Sequence, residues 1–382
     1  MPTLATYFTC TGCAACMNSC AKNAIKMLPE GKLGHVYPKV DVDLCVKCGL
    51  CEKSCPVLNV PTLSKASMAY AAWAKDEEEN RKSSSGGVAS VLTRRILRDG
   101  GVVYGCANIG CDVKHIRITK EDDIDLLRGS KYVQSTMGMI MRQLKRDLVR
   151  GLKVLFIGTP CQCAGVRMYL GRPFDNLLLV DIICHGTPSL KLLQEHVKSL
   201  VDKNQIVKHI FFRDGESGEF SLVIKNSKEK EIYSSNLWRN RYHDAYYNAF
   251  ILGYTYRPSC NRCIFARPER CSDVTIGDFW GLGQKVPFIP KVKSYGISVV
   301  LPNTINGVRM LDSIKSDFYM EKRDLDEAIN GNPQLKAPKS LNFNARIFQW
   351  CLRCGFSLKT SLYIADWYKI PAYKIANKVK NI

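Results

Sequence analysis

The chain has 382 residues, 46% of them hydrophobic, with 18 cysteines and a formal charge of +20. Such a length exceeds a small electron carrier and leaves room for one or two further cored domains. Its apolar runs, such as LLLVDIIC and VLFIG, fall far short of the ~18 residues of a membrane span, its N-terminus lacks a signal core, and no nucleic-acid motif accompanies the scattered basic residues.

The first expected unit, residues 1–62, holds two matching runs, CTGCAACMNSC (Cys10, Cys13, Cys16, Cys20) and CVKCGLCEKSCP (Cys45, Cys48, Cys51, Cys55). This is the spacing of a dicluster ferredoxin, in which three thiolates of one run take three corners of a 4Fe-4S cubane and the fourth ligates the other cluster. The expected ligands therefore cross: Cys10, Cys13, Cys16 and Cys55 for one cluster, Cys45, Cys48, Cys51 and Cys20 for the other. A structural zinc site takes four ligands, not two tandem fours, and a disulfide scaffold requires an oxidising compartment. A reducing, cytoplasmic setting is expected. Ala21 stands where the second run has Pro56. Two clusters at about −2 each offset part of the basic charge, and what remains suits a solvated surface or an acidic electron carrier such as ferredoxin.

After a linker, VLNVPTLSKAS, the strand MAYAAWA and a solvated acidic loop, DEEEN (Asp76 to Asn80), are expected. Val88, Val91, Leu92 and Ile96 share one helical face, with Ser85 or a neighbour as cap and Asp99-Gly100-Gly101 as stop. From GVVYGCA onward strands and helices alternate: TMGMIMRQLKRDLVRG helical, KVLFIG a strand, QCAGVRMYLG helical, NLLLVDIIC a strand, SLKLLQEHVKSLVD helical. That rhythm predicts a parallel sheet with crossover helices, whose carboxyl-end loops, GTPCQ (Gly158 to Gln162) and CHGTPS (Cys184 to Ser189), are where ligands bind. The segments KHIFFRD and FSLVIKN are further strands.

RPSCNRCIFARPERC supplies Cys260, Cys263 and Cys271 in an irregular loop. With Cys161 as fourth ligand they would hold a third 4Fe-4S cluster; a three-thiol zinc site or reduced structural cysteines are the alternatives. SSSGG (Ser83 to Gly87) before a helix can meet a phosphate or serve as a plain cap. GSKYVQS (Gly129 to Ser135) suits a flavin or nucleotide, or is an edge strand. His185 can donate a proton to a substrate or fix its loop. Asp278-Phe279-Trp280-Gly281 can pack beside a cofactor or form core, and Cys351 and Cys354 read as buried thiols.

The dicluster block followed in order by SSSGG, KYVQS, GTPCQ, CHGTPS, RPSC-x2-C and SDVTIGDFWG resembles the beta-subunit family of coenzyme F-420 hydrogenase/dehydrogenase, in the form with an N-terminal ferredoxin domain. The resemblance covers roughly residues 5 to 310. It implies an FAD enzyme of mixed α/β fold in which Ser85, Gly86, Gly87, Lys131, Tyr132, Gln134, Ser135, Gly158 and Thr159 lie around the flavin and the Cys260 loop holds the proximal cluster. Cys163 departs from the family, which more usually has an apolar residue after GTPCQ.

The expected architecture is thus α+β / α/β: a ferredoxin domain at 1–62, a flavoprotein region in two α/β parts at 66–150 and 151–335, and a basic helical tail at 336–382. The expected activity is an iron–sulfur flavoprotein oxidoreductase, linked to ferredoxin or another redox protein and acting on an organic or deazaflavin substrate. The alternative is an electron-transfer subunit with no substrate site of its own.

Overall fold

The computed structural model describes residues 1–213, 219–237, 242–290 and 292–369. Its centre is an eight-stranded sheet in the spatial order Phe318–Arg323, Ala69–Ala74, Ser298–Pro302, Val274–Asp278, Leu177–Ile182, Val154–Gly158, Val102–Ile109 and Asp112–Ile118. The fold is mixed α/β. Parallel pairing is confined to the four strands beginning at Val274, Leu177, Val154 and Val102, and antiparallel pairs flank them on both sides. Strands from 66–150 and from 151–335 therefore share one sheet.

The parallel strands read as unbroken apolar runs because both of their faces are covered. Val103, Leu155, Leu178 and Val180 point to one face, where the stripe Val88, Val91, Leu92 and Ile96 packs. Val102, Tyr104, Val154, Phe156, Leu177 and Leu179 point to the other, against Met141, Leu144 and Leu148 of the helix Ile140–Val149 and Ala164 and Val166 of the helix Pro160–Leu170. Each fully buried Leu or Phe contributes about 2 kcal/mol. Cys13, Ala14 and Ala15 of the cysteine block belong to this second face, so the block is seated on the sheet's own core.

Within the block, a hairpin pairs Ile25–Glu30 with His35–Val40, and two short helices, Ala15–Ser19 and Leu50–Lys53, follow the cysteine turns. The repeated sequence gives a repeated backbone. Gly12 and Ala14 of the first run are left-handed, and so are Lys47 and Gly49 at the matching places of the second.

Four sequence expectations change. DEEEN is capped and helical, not a loop: Asp76 accepts from the Glu79 amide at the start of the helix Glu77–Arg81. Glu79 is 4% exposed and meets Arg94 at 2.7 Å and Arg128 at 2.8 Å, so it anchors an ionic cluster instead of conferring solubility. The helix Val88–Arg98 starts at Gly87 with φ +83° and no side-chain cap, because the Ser85 hydroxyl donates to the Ile297 carbonyl. The linker carries a short strand, Ser64–Lys65, paired with Glu269–Arg270 beside the third cysteine group. Of the two tail thiols, Cys351 is buried and Cys354 exposed. The basic tail expected at 336–382 is helical over Phe343–Arg353 and Leu358–Asp366, and its last part, from 370, lies outside the described residues.

Candidate functional site

Two neighbouring cavities carry the chemistry-bearing residues. The first, small and apolar, is lined by Cys10, Cys13, Cys16 and Cys55 together with Gly12, Ala14, Met27 and Pro38. Those four cysteines come from both runs. Burial, followed by the nearby thiols of Cys10 and Cys55, pushes the Cys16 thiol up to about 12. A thiol so disposed ionises only beside strong positive charge, which iron supplies. Cys45, Cys48 and Cys51 lie on and before the second short helix, with Cys48 exposed, and the Cys20 sulfur accepts from the Ala24 amide.

The second cavity has a volume of about 600 Å³ and opens at the carboxyl ends of the parallel strands. Its floor follows the strand Val154–Gly158, where Thr159 caps the helix Pro160–Leu170 and Gln162 closes the reciprocal bond at 2.9 Å. This helix also meets the cysteine block: a Cβ at Gly165 would stand 3.0 Å from the Cys13 sulfur. Cys161, in the first turn, faces the cavity beside Cys184, Cys260 and Cys263. Burial and then the charges of Cys260, Cys161 and Cys263 raise the Cys184 thiol; burial and Cys263 push Cys161 up to about 12.

Four thiols thus meet here, but they are not the four expected from the sequence. Cys271 is buried and directs its sulfur at the Pro160 carbonyl, 3.8 Å away, outside the cavity lining, while Cys184 occupies the cavity wall. Cys163 is fully buried and donates to the Val180 carbonyl, which leaves Cys161 as the thiol this loop presents. Among the described residues no three His, Cys, Asp or Glu side chains converge as they do around one ion; a cubane takes each thiolate on a different iron.

Of the nine residues expected around a flavin, Ser85, Gly87, Lys131, Tyr132, Gln134, Ser135, Gly158 and Thr159 line this cavity. Gly86 does not. It is a glycine because a Cβ would stand 2.1 Å from the Ala72 carbonyl, so it serves a close approach to the sheet. The helix Val88–Arg98 brings Val88, Ala89 and Ser90 of its first turn to the wall, which turns the positive end of its dipole toward the cavity. Lys131 donates to the Leu127 and Arg128 carbonyls at 2.7 Å, and burial holds its ammonium down to about 8. Arg270 lines the wall; its Nη1 donates to the Phe265 carbonyl at 2.8 Å and its Nε lies 4.0 Å from the Asp181 carboxylate, while Nη2 is buried without a hydrogen bond among the described residues.

His185 lies in the same wall. Its pKa is lowered by burial first and by Lys339 and Arg213, against the opposing charge of Asp278. A neutral imidazole at pH 7 can accept or donate a proton. Phe279 is core, whereas Trp280 stays 45% exposed at the cavity edge with its ring stacked on Phe220.

Sequence reasoning missed Arg213, which ties three of its own motifs together. The guanidinium donates to the Ser84 carbonyl at 2.6 Å and the Tyr132 hydroxyl at 3.0 Å and pairs with Asp278, with its plane 4.4 Å from the Phe220 ring. Nothing in the stretch around it, IFFRDG, marks it. Cys184 did stand inside a quoted loop, one residue from the histidine singled out there.

His115 orders the floor from beneath. Its Nε2 donates to the Ile157 carbonyl, its Nδ1 accepts from the Ser135 hydroxyl, and the Gln162 amide donates to the same hydroxyl oxygen. Burial holds this imidazole down to about 4. Unfolded, it binds a proton near pH 6.5, so its contribution is complete above that pH and drains away as pH falls toward the folded value. Between about pH 7.5 and about pH 5.5 the linkage removes about 1.3 kcal/mol of stability. Urea titrations at the two pH values should show that loss shrinking by this amount in His115→Gln.

Three family models match successive parts of the chain. The family model described as 4Fe-4S dicluster domain matches residues 9–59. Two models for the beta subunit of coenzyme F420 hydrogenase/dehydrogenase, one for its N-terminal part and one for its C-terminal part, match residues 69–142 and 151–328. An F(420)H(2) dehydrogenase subunit of Methanosarcina mazei is 22% identical over 240 residues, 58% of this chain and 66% of that protein, so the chain spans slightly less than two thirds of this curated relative. A chain of the F420-reducing NiFe hydrogenase complex from Methanosarcina barkeri aligns with 20% identity and a TM-score of 0.47, over 72% of this chain and 92% of that one. Among the described residues no helix is long and apolar enough to cross a membrane.

Proposed function

Because the chain belongs to the coenzyme F-420 hydrogenase/dehydrogenase beta-subunit family and bears a 4Fe-4S dicluster domain at its N-terminus, we propose that it is an iron–sulfur flavoprotein that exchanges electrons between a redox-protein partner and an organic or deazaflavin substrate. The single observation that carries this reading is the meeting of two thiol groups with one large cavity. Helix Pro160–Leu170 touches Cys13 at Gly165 and presents Cys161 into the cavity wall one turn earlier.

Cys10, Cys13, Cys16 and Cys55 would hold one cluster, Cys20, Cys45, Cys48 and Cys51 the second, and Cys161, Cys184, Cys260 and Cys263 a third. Clusters carry electrons singly and FAD exchanges them singly or in pairs, which is the conversion an organic substrate requires. FAD fits the cavity in size, in the helix N-terminus it offers a pyrophosphate, and in the buried cations Lys131 and Arg270. Ser85, Gly87, Tyr132, Gln134, Ser135, Gly158 and Thr159 would line its site. Arg213 holds the Ser84, Tyr132 and Asp278 walls at fixed spacing. His185 would hold or release a proton at the substrate, and the Trp280 face at the edge would stack a planar ring.

Purified without oxygen, the chain should release about one FAD on denaturation and oxidise a reduced deazaflavin with a one-electron dye as acceptor. Protein that retains its iron but neither carries nor takes up FAD would sink this reading and leave an electron-transfer subunit acting beside a catalytic partner. The second reading has its own support, since the curated relative reported above is named as a subunit of an F(420)H(2) dehydrogenase.

A further inference from the structure

A fully buried cation spans the boundary between the cysteine block and the sheet. Arg257, 1% exposed, stands three residues before Cys260 and reaches across into the block. Its Nε donates to the Cys10 carbonyl at 2.6 Å, its Nη2 to the Val36 carbonyl at 2.6 Å, and its Nη1 to Gln134 Oε1 at 3.0 Å. Gln134 in turn donates to the Thr11 carbonyl at 2.9 Å. The guanidinium plane lies 4.3 Å from the Tyr37 ring, and Nη2 comes within 3.7 Å of the Cys10 sulfur. The fit is close: a Cβ at Gly12 would stand 2.6 Å from the Gln134 amide and 2.8 Å from Arg257.

None of these contacts is a carboxylate. A guanidinium taken out of water without a counter-ion costs several kcal/mol, so an anion at the Cys10 sulfur is what makes the placement tolerable. A 4Fe-4S core with its thiolates is such an anion, and one-electron reduction makes it more negative without moving a proton. Fixed positive charge at this distance favours the reduced state, and burial spares it from screening.

We propose that Arg257 is a positioning and tuning residue: it docks the Cys10 segment onto the cavity wall through Gln134 and raises the reduction potential of the cluster that Cys10 ligates. The second cluster's Cys20 segment also meets an arginine, Arg142, which donates to the Cys20 and Asn18 carbonyls, but that side chain is only partly buried and more strongly screened, so the arrangement makes reduction easier on the side facing Cys161. Lysine could supply the charge but not three donors in one plane.

The proposal rests on the reading that Cys10, Cys13, Cys16 and Cys55 hold one cluster. That reading is checked first, by iron content and by resolving the cluster signals of the full chain in a potentiometric titration followed by electron paramagnetic resonance. In Arg257→Gln, the reduction equilibrium of the Cys10 cluster should fall about tenfold, equivalent to about 59 mV, with the Cys45 cluster unchanged. Arg257→Lys keeps the charge and gives up the fork, so it should stay within about threefold of the parent while amide exchange at residues 10–13 speeds up. An iron-replete Arg257→Gln protein with unchanged potentials overturns the tuning role. If that variant loses its iron, Arg257→Lys decides: a tenfold drop there would make the effect one of docking alone, and the proposal fails.

Discussion

Cys184→Ser should lower the iron content by about four per chain, and Cys271→Ser should leave it unchanged. The two outcomes separate the sequence expectation from the site seen in the structure. By spacing, Cys271 completes RPSC-x2-C as its nearest following thiol; in space it is sealed behind the helix start, with its sulfur on the Pro160 carbonyl. Cys184 instead comes from a loop after a different parallel strand and shares the cavity wall with Cys161, Cys260 and Cys263. Gly186, two residues on, has φ +121° and admits the Tyr256 ring so closely that a Cβ would stand 2.5 Å from it. That turn brings the Cys184 loop onto the Tyr256–Cys260 segment. Iron analysis and the visible absorbance of both variants, each checked for folding by circular dichroism, decide the matter. Iron lost in Cys271→Ser and kept in Cys184→Ser would restore the sequence assignment. Because Cys161 and Cys263 lie between the block and the cavity, Cys184→Ser should also slow dye reduction by at least about 100-fold, on the scale of losing an essential metal-site group.

Why this ligand was illegible while its partners were plain is a matter of range. A C-x2-C pair reports on itself, since two thiols three residues apart are brought together by one turn, and the apolar strand runs report on themselves through their bounding turns. The dicluster spacing even repeats its backbone, with left-handed residues at Gly12 and Ala14 and again at Lys47 and Gly49. Cys184 meets Cys260 and Cys263 because the loop after the strand Leu177–Ile182 docks on the segment before Cys260, where the Arg257 amide donates to the Thr187 carbonyl at 3.1 Å, a contact that no local pattern encodes. The same holds for Arg213 and Arg257, whose acceptors lie up to 247 residues away in sequence. Glu79 shows the converse error. In DEEEN it reads as one more solvated charge, and only the tertiary approach of Arg94 and Arg128 makes it a buried anchor. Short motifs fared between these limits: GTPCQ and KYVQS reach the cavity as expected, while Gly86 of SSSGG belongs to the packing of the strand Ala69–Ala74.

The crossed ligation of the cysteine block gives the other large effect. Cys55→Ser should abolish the cluster ligated by Cys10, Cys13 and Cys16, and Cys20→Ser should abolish the one ligated by Cys45, Cys48 and Cys51, each at a cost of about four iron. The first half follows from the small cavity, whose wall carries Cys55 with the three thiols of the opposite run, and from the nearby charge of Cys55 on Cys16. The second half follows from the shared backbone of the two runs, which makes Cys20 stand to the second cluster as Cys55 does to the first. The variants are distinguishable by their neighbours. Loss of the Cys10 cluster removes the anion beside Arg257 and leaves that guanidinium buried without a counter-charge, at a cost of about 3 kcal/mol or more. Loss of the Cys45 cluster leaves Arg257 untouched. Cys55→Ser should therefore unfold at markedly lower urea than Cys20→Ser, although both lose the same amount of iron. Loss of the Cys45 cluster in Cys55→Ser, with Cys20→Ser then the less stable variant, would show that each run ligates a cluster of its own.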